Sequence, residues 1–154
     1  MICRVIGSAK TDKNSGEIYM SMNLARENGA ILVCEKINWG QIARDTGKWL
    51  QTTWIIYDDG AVISKTMYDS NRFTNREARI HTQEFVLRQE DFTTLKSWLN
   101  DVFPSSTLST GYDGVGWKIT SFDENGKVAL SKKGYVYFNQ SFDVLLNILG
   151  EKSV

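Results

Sequence analysis

Two short acidic turns, each set between apolar runs, constrain this 154-residue chain more than any other feature. In the first, Trp54-Ile55-Ile56-Tyr57 and Ala61-Val62-Ile63-Ser64 flank Asp58-Asp59-Gly60. In the second, Trp117-Lys118-Ile119-Thr120 and Val128-Ala129-Leu130 flank Asp123-Glu124-Asn125-Gly126. Asp, Asn and Gly supply the positive-φ positions that tight hairpins need. Strands joined so closely must run antiparallel, because a parallel pair requires a crossover of about a dozen residues or more.

Further strands follow from the same logic. The β-branched run Ala30-Ile31-Leu32-Val33-Cys34 reads as a buried strand, and residues 80–87 alternate as another. Residues 1–6 and 18–24 pair as an N-terminal hairpin across the polar turn 10–16, and residues 38–46 form a short helix ended by Gly47. Gln89-Glu90-Asp91 opens a helix with Phe92, Leu95, Trp98 and Leu99 on one face, stopping before Pro104. After the second hairpin, Tyr135-Val136-Tyr137-Phe138 reads as a strand, and a last helix carries Phe142, Leu145, Ile148 and Leu149.

Hairpin, strand and helix thus occur twice in the same order, over residues 53–103 and 115–150. Either the chain carries an internal duplication of a ββ-β-α unit, with 69–81 inserted in the first copy, or the spacing is simply that of any strand followed by an amphipathic helix. On both readings the expected fold is α+β: one domain over 1–154, a mostly antiparallel sheet with two or three helices packed on one face.

Charge and cysteine content narrow the partners. Eighteen basic residues balance eighteen acidic ones, so the summed field attracts neither nucleic acid nor an anionic membrane. Nucleic acid is expected only through a local arginine patch. No stretch approaches the ~18 consecutive apolar residues of a membrane span, and Arg4 and Gly7 interrupt the first apolar residues too early for a secretory leader. Cys3 and Cys34 have neither metal-ligand spacing nor the count of a disulfide framework. Two reduced thiols in a cytoplasmic protein are the expectation.

Candidate chemistry is sparse. His81 is the one histidine, on an alternating strand that turns it to solvent, so Ser-His and Cys-His catalysis and most zinc sites lack their ligands. The Asp58-Asp59 and Asp123-Glu124 pairs lack the alternating ligands of a calcium loop and fit turn chemistry. No catalytic residue, metal or cofactor is expected. Gly111 to Gly116 reads as a flexible connector, within a loop from Pro104 to Gly116 long enough to invite a functional use.

The residues singled out for binding are Arg72, Phe73, Arg76 and Arg79, three arginines around one aromatic. That set suits phosphate, a stacked base or an acidic protein face. A solvated loop, its arginines paired with Asp69, Glu77 and Glu84, accounts for the same residues. Of the five tryptophans, Trp39 and Trp49 flank the least regular segment and are the expected exposed ones, the others packing in the core.

Asp113-Gly114, Trp117, Asp123-x-x-Gly126 and Gly134-Tyr135 together resemble the pattern of small bacterial open reading frames without assigned activity. The resemblance implies a bacterial or phage origin. The leading functional expectation is a non-catalytic module that occludes a partner protein, in the manner of small bacterial immunity proteins or phage-encoded inhibitors of bacterial defence such as anti-CRISPR proteins. The alternative is a small-molecule or nucleotide binder using an aromatic pocket and arginines.

Overall fold

A computed structural model describes residues 29–38, 49–68, 79–109, 115–137 and 139–151. The expected N-terminal hairpin, the helix over 39–46 and the 69–78 excursion lie outside them; Asn38, assigned above to that helix, is the last residue of a strand.

Among the described residues six strands form one antiparallel sheet: β1 (Ala30–Asn38), β2 (Trp49–Tyr57), β3 (Ala61–Tyr68), β4 (Arg79–Val86), β5 (Val115–Phe122) and β6 (Val128–Gly134). Their order is β4-β3-β2-β1-β5-β6, so a four-strand meander is extended beyond β1 by the β5–β6 hairpin. Both acidic turns are where the sequence places them. Gly60 has φ +86°, and Asp59 Oδ1 accepts from the Ala61 N–H at 3.0 Å. Asp123 Oδ1 accepts from the N–H groups of Asn125 and Lys127, each at 2.9 Å.

Two α-helices are present among the described residues, α1 (Gln89–Asp101) and α2 (Asp143–Leu149). Glu90 and Asp91 in the first turn of α1 suit the positive end of the helix dipole, and Arg88 bonds Asp91 through Nε at 2.9 Å. A 3₁₀ turn containing Pro104 (Phe103–Ser105) follows α1. Gly150, at φ +75°, closes α2 in the left-handed conformation that lets the Glu151 N–H reach the Leu146 carbonyl at 2.8 Å.

Because side chains alternate across a strand, the sheet has two distinct faces. Leu32, Cys34, Trp54, Ile56, Val62, Trp117 and Ile119 point to the helical face and form one core with Leu95, Trp98, Phe103, Phe142, Leu145, Leu146 and Leu149. Trp54 and Trp117 stack there with centroids 5.5 Å apart and planes within 2°. The tryptophans at 54, 98 and 117 are therefore core residues, as expected. On the opposite face Ala30, Val33, Ile55, Tyr57, Ala61, Ile63 and Phe122 form a second buried cluster.

Two expectations need correction. Of the strand expected over 135–138, the described residues 135–137 do not form one: Tyr135 makes a single bridge to Ser109, and Val136 drops into the core. The cause is Gly134, at φ +152°, which backs onto the chain so closely that a Cβ there would lie 2.5 Å from the Ser109 oxygen. Of the expected 104–116 loop, Val115 and Gly116 belong instead to β5, and residues 104–109 are held in place. The half-buried Lys132 ammonium donates to the carbonyls of Phe103 (2.6 Å), Pro104 (3.2 Å) and Ser106, and lies 5.1 Å from the Phe103 ring centroid. Asn139 Nδ2 donates to the Thr107 carbonyl at 2.9 Å.

Candidate functional site

Strand register brings two of the sequence-selected residues together. Trp49 opens β2 opposite Tyr68, and Tyr68 in turn stands opposite Arg79, the first residue of β4. Trp49 and Arg79 thus occupy positions on either side of Tyr68 at one end of the sheet. Trp39 follows Asn38, which ends β1 at that same end opposite Val115. Segments 39–48 and 69–78 leave from and return to this end, and 110–114 leads into it. Trp39, Arg72, Phe73 and Arg76 lie outside the described residues.

A polar row crosses each face of the sheet short of this end, and on the face away from the helices a further row, Ile80, Met67, Gln51, Ile37 and Gly116, lies between it and the end. On the face away from the helices, Thr82, Lys65, Thr53, Glu35, Lys118 and Lys133 form one in-register row crossing all six strands. The neighbouring row, Glu84, Ile63, Ile55, Val33, Thr120 and Ser131, is apolar at its centre. Lys65, Thr53 and Glu35 are almost wholly buried, at 4%, 1% and 7% exposure, so the centre of the polar row carries charge in a dry setting.

Glu35 is the unusual member. Gln51 Nε2 approaches its Oε1 at 3.5 Å, while Oε2 and the Thr53 hydroxyl have no hydrogen-bond partner among the described residues. Burial pushes the Glu35 carboxyl above the ordinary carboxylate range, an effect the Lys118 and Lys133 ammonium groups partly offset. Lys118 and Lys133 stand directly opposite each other, an arrangement of like charges that by itself costs stability.

The corresponding row on the helical face holds His81, Thr66, Thr52, Lys36 and Trp117. The Thr52 and Thr66 hydroxyls bond at 3.1 Å, and Lys36 pairs with Glu151 just beyond α2. Tyr137 packs edge-on against Trp117, and burial raises its phenol above the usual range. His81 is exposed on β4 as expected, whereas Cys34 is sealed in the core, where burial holds its thiol far above the ordinary value. The structure therefore does not bring this histidine and this thiol together. Among the described residues, no group of three or more His, Cys, Asp or Glu side chains is arranged to hold a metal.

The polar rows were not selected from the sequence, although each member left a mark. Glu35 and Lys118 are charged residues set directly against otherwise apolar strand runs, Ala30-Ile31-Leu32-Val33-Cys34 and Trp117-x-Ile119. Such a break in an apolar run is the signal; which breaks align across strands is fixed only by register.

At the opposite end, a groove of about 620 Å³ runs between α1 and the β5–β6 hairpin. Leu99, Phe103, Phe122 and Leu130 line it, with Lys96 and Asp123 also on its walls. No helix among the described residues is long and apolar enough to cross a membrane. The sequence matches no protein-family model and no curated protein.

Proposed function

We propose that the chain is a non-catalytic binding protein that works by occluding a surface of a partner protein, as small bacterial immunity proteins and phage-encoded inhibitors of bacterial defence do. One observation carries the reading: Trp49, Tyr68 and Arg79 align at the end of the sheet from which the arginine-bearing segment departs. Binding residues placed on connections at one end of a rigid sheet are a common arrangement, because the sheet holds the loop ends in fixed geometry. Arginine, Trp and Phe are also the types that dominate protein interfaces. The partner surface this suits is acidic, and the setting is the cytoplasm, without a cofactor.

The test is capture from bacterial lysates by the wild-type chain and by a variant carrying Arg72→Glu, Arg76→Glu and Arg79→Glu. A stoichiometric partner held by the wild type and lost by the folded variant supports the proposal. No partner across several hosts, or one held equally by both, overturns it.

The groove beside α1 favours a second reading, binding of a small molecule, because its size falls within the ~300–1,000 Å³ of ordinary ligand pockets. Its cation is Lys96 rather than an arginine. A thermal-shift panel including nucleotides separates the readings, since a ligand at about 100 times its Kd stabilises the fold by ~2.7 kcal/mol. A duplicated origin for 53–103 and 115–150 is supported by the shared hairpin and helix order and opposed by the single bridge at Tyr135.

A further inference from the structure

The sheet ends in two edge strands of different character. β6 is guarded: Lys132 and Lys133 lie along it, its ladder with β5 contains an irregularity, and Tyr135 just beyond it is bridged to Ser109. Lysines and bulges are the usual protection of an edge against another strand. β4 has none of these. Its eight pairs with β3 run without a register shift, and Arg79-Ile80-His81-Thr82-Gln83-Glu84-Phe85-Val86 contains no Lys, Pro or Gly. Phe85 and Val86 are exposed at 37% and 60%, and among the described residues no strand pairs with the outer side of β4.

We infer that the outer edge of β4 pairs antiparallel with β4 of a second copy of this chain, about a twofold axis passing through Gln83. The choice of occupant and register follows from the sequence of the strand. In a symmetric antiparallel pair with its axis normal to the sheet, a residue k positions before the centre faces the residue k positions after it. A centre at Glu84 sets two carboxylates opposite each other, which is unfavourable. A centre at Thr82 places Ile80 against Glu84 and carries Val86 past the start of the partner strand. A centre at Gln83 sets Ile80 against Val86, His81 against Phe85, Thr82 against Glu84, and Gln83 against itself. That register covers both exposed apolar side chains, opposes no like charges, and gives the carboxylate a hydroxyl donor. It joins two six-strand sheets into one of twelve. The contact is a strand edge rather than a loop surface, so it stands whether or not the occlusion reading does.

A single strand pair makes a small interface, so the dimer forms reversibly with concentration. Light scattering and sedimentation over a concentration series of the full chain should show mass rising from monomer to dimer. Phe85→Lys and Val86→Lys, both at exposed positions and each checked for a wild-type melting curve, should hold the chain monomeric. Gln83→Cys should form an intermolecular disulfide under mild oxidation, because directly opposed Cα atoms lie about 4.5–5.5 Å apart, within disulfide reach. Thr82→Cys and Glu84→Cys should not, being offset from their own copies; cross-links through the native cysteines would appear equally in all three. A wild type that stays monomeric at every concentration overturns the inference, including the case in which the edge serves a strand of another protein. So does a dimer that survives Val86→Lys and cross-links no better through Gln83→Cys than through Glu84→Cys.

Discussion

Replacing Lys132 with Met tests whether the 103–109 segment is held by one ammonium group. The lysine stem would be kept in shape while the charge is lost. Of its three carbonyl acceptors, Phe103 keeps the Ser106 hydroxyl and N–H as donors at 2.7 and 3.2 Å and Pro104 is exposed to water, so the Ser106 carbonyl, on a residue exposed by only 8%, is the one the change orphans. Losing a charged donor to one buried acceptor costs about 1.5–3 kcal/mol, so the expected loss is about 2 kcal/mol. For a chain of this size, each kcal/mol lowers Tm by about 2–4 °C, giving a drop of roughly 4–8 °C in a circular-dichroism melt. The urea midpoint should fall with an unchanged m value, since the surface exposed on unfolding is the same. A Tm within about 2 °C of wild type would show that these carbonyls do not depend on the ammonium.

Three further outcomes follow from neighbouring features. The Glu35 carboxyl has a folded pKa above its unfolded value, so the native state binds the extra proton, and stability falls as pH rises from the unfolded pKa through the folded one. Glu35→Gln should therefore be more stable than wild type at neutral pH and equal to it below the carboxylate range; denaturant midpoints at the two pH values decide it, and equal midpoints at neutral pH would refute the buried charge. Gly134→Ala forces a Cβ to within 2.6 Å of Leu108 Cβ as well as against the Ser109 oxygen, and should cost about 1–3 kcal/mol, read as a lower Tm and faster amide exchange at Tyr135. The triple arginine variant should melt like the wild type while losing its partner; a large loss of Tm would mean that the arginines serve the fold.

The parts of the fold legible in the sequence were those whose cause is local. Asp58-Asp59-Gly60 and Asp123 to Gly126 specify their own turns, and α1 announces itself through acidic first-turn residues and the spacing of Leu95 and Trp98. Tyr135 to Phe138 misled because four residues of strong β propensity say nothing of whether a neighbour is available. Here Gly134 turns the chain against residues 108–109, and Val136 is drawn into the core instead. The strands also run longer than their apolar segments, since β1 continues through Glu35-Lys36-Ile37-Asn38 and β3 through Lys65 to Tyr68. Those polar extensions make the rows flanking the candidate site, and only the pairing of five or six strands aligns them. Trp49 and Arg79 could be chosen by residue type, but their common position beside Tyr68 is a property of register.

The central place of β1 also bears on how quickly the chain folds. Pairings β1 to β4 join sequence neighbours, and β5 with β6 closes across a short turn, whereas β1 with β5 unites residues from opposite halves of the chain. Contacts between distant residues come at the expense of chain entropy before they return any stability, and proteins dominated by them fold slowly. The zipping of β5 onto β1 is thus expected to set the folding rate. Ile119→Val in β5 should then slow refolding more than Ile55→Val in β2, relative to the stability each removes, and the reverse order in stopped-flow refolding would place the barrier in the meander instead.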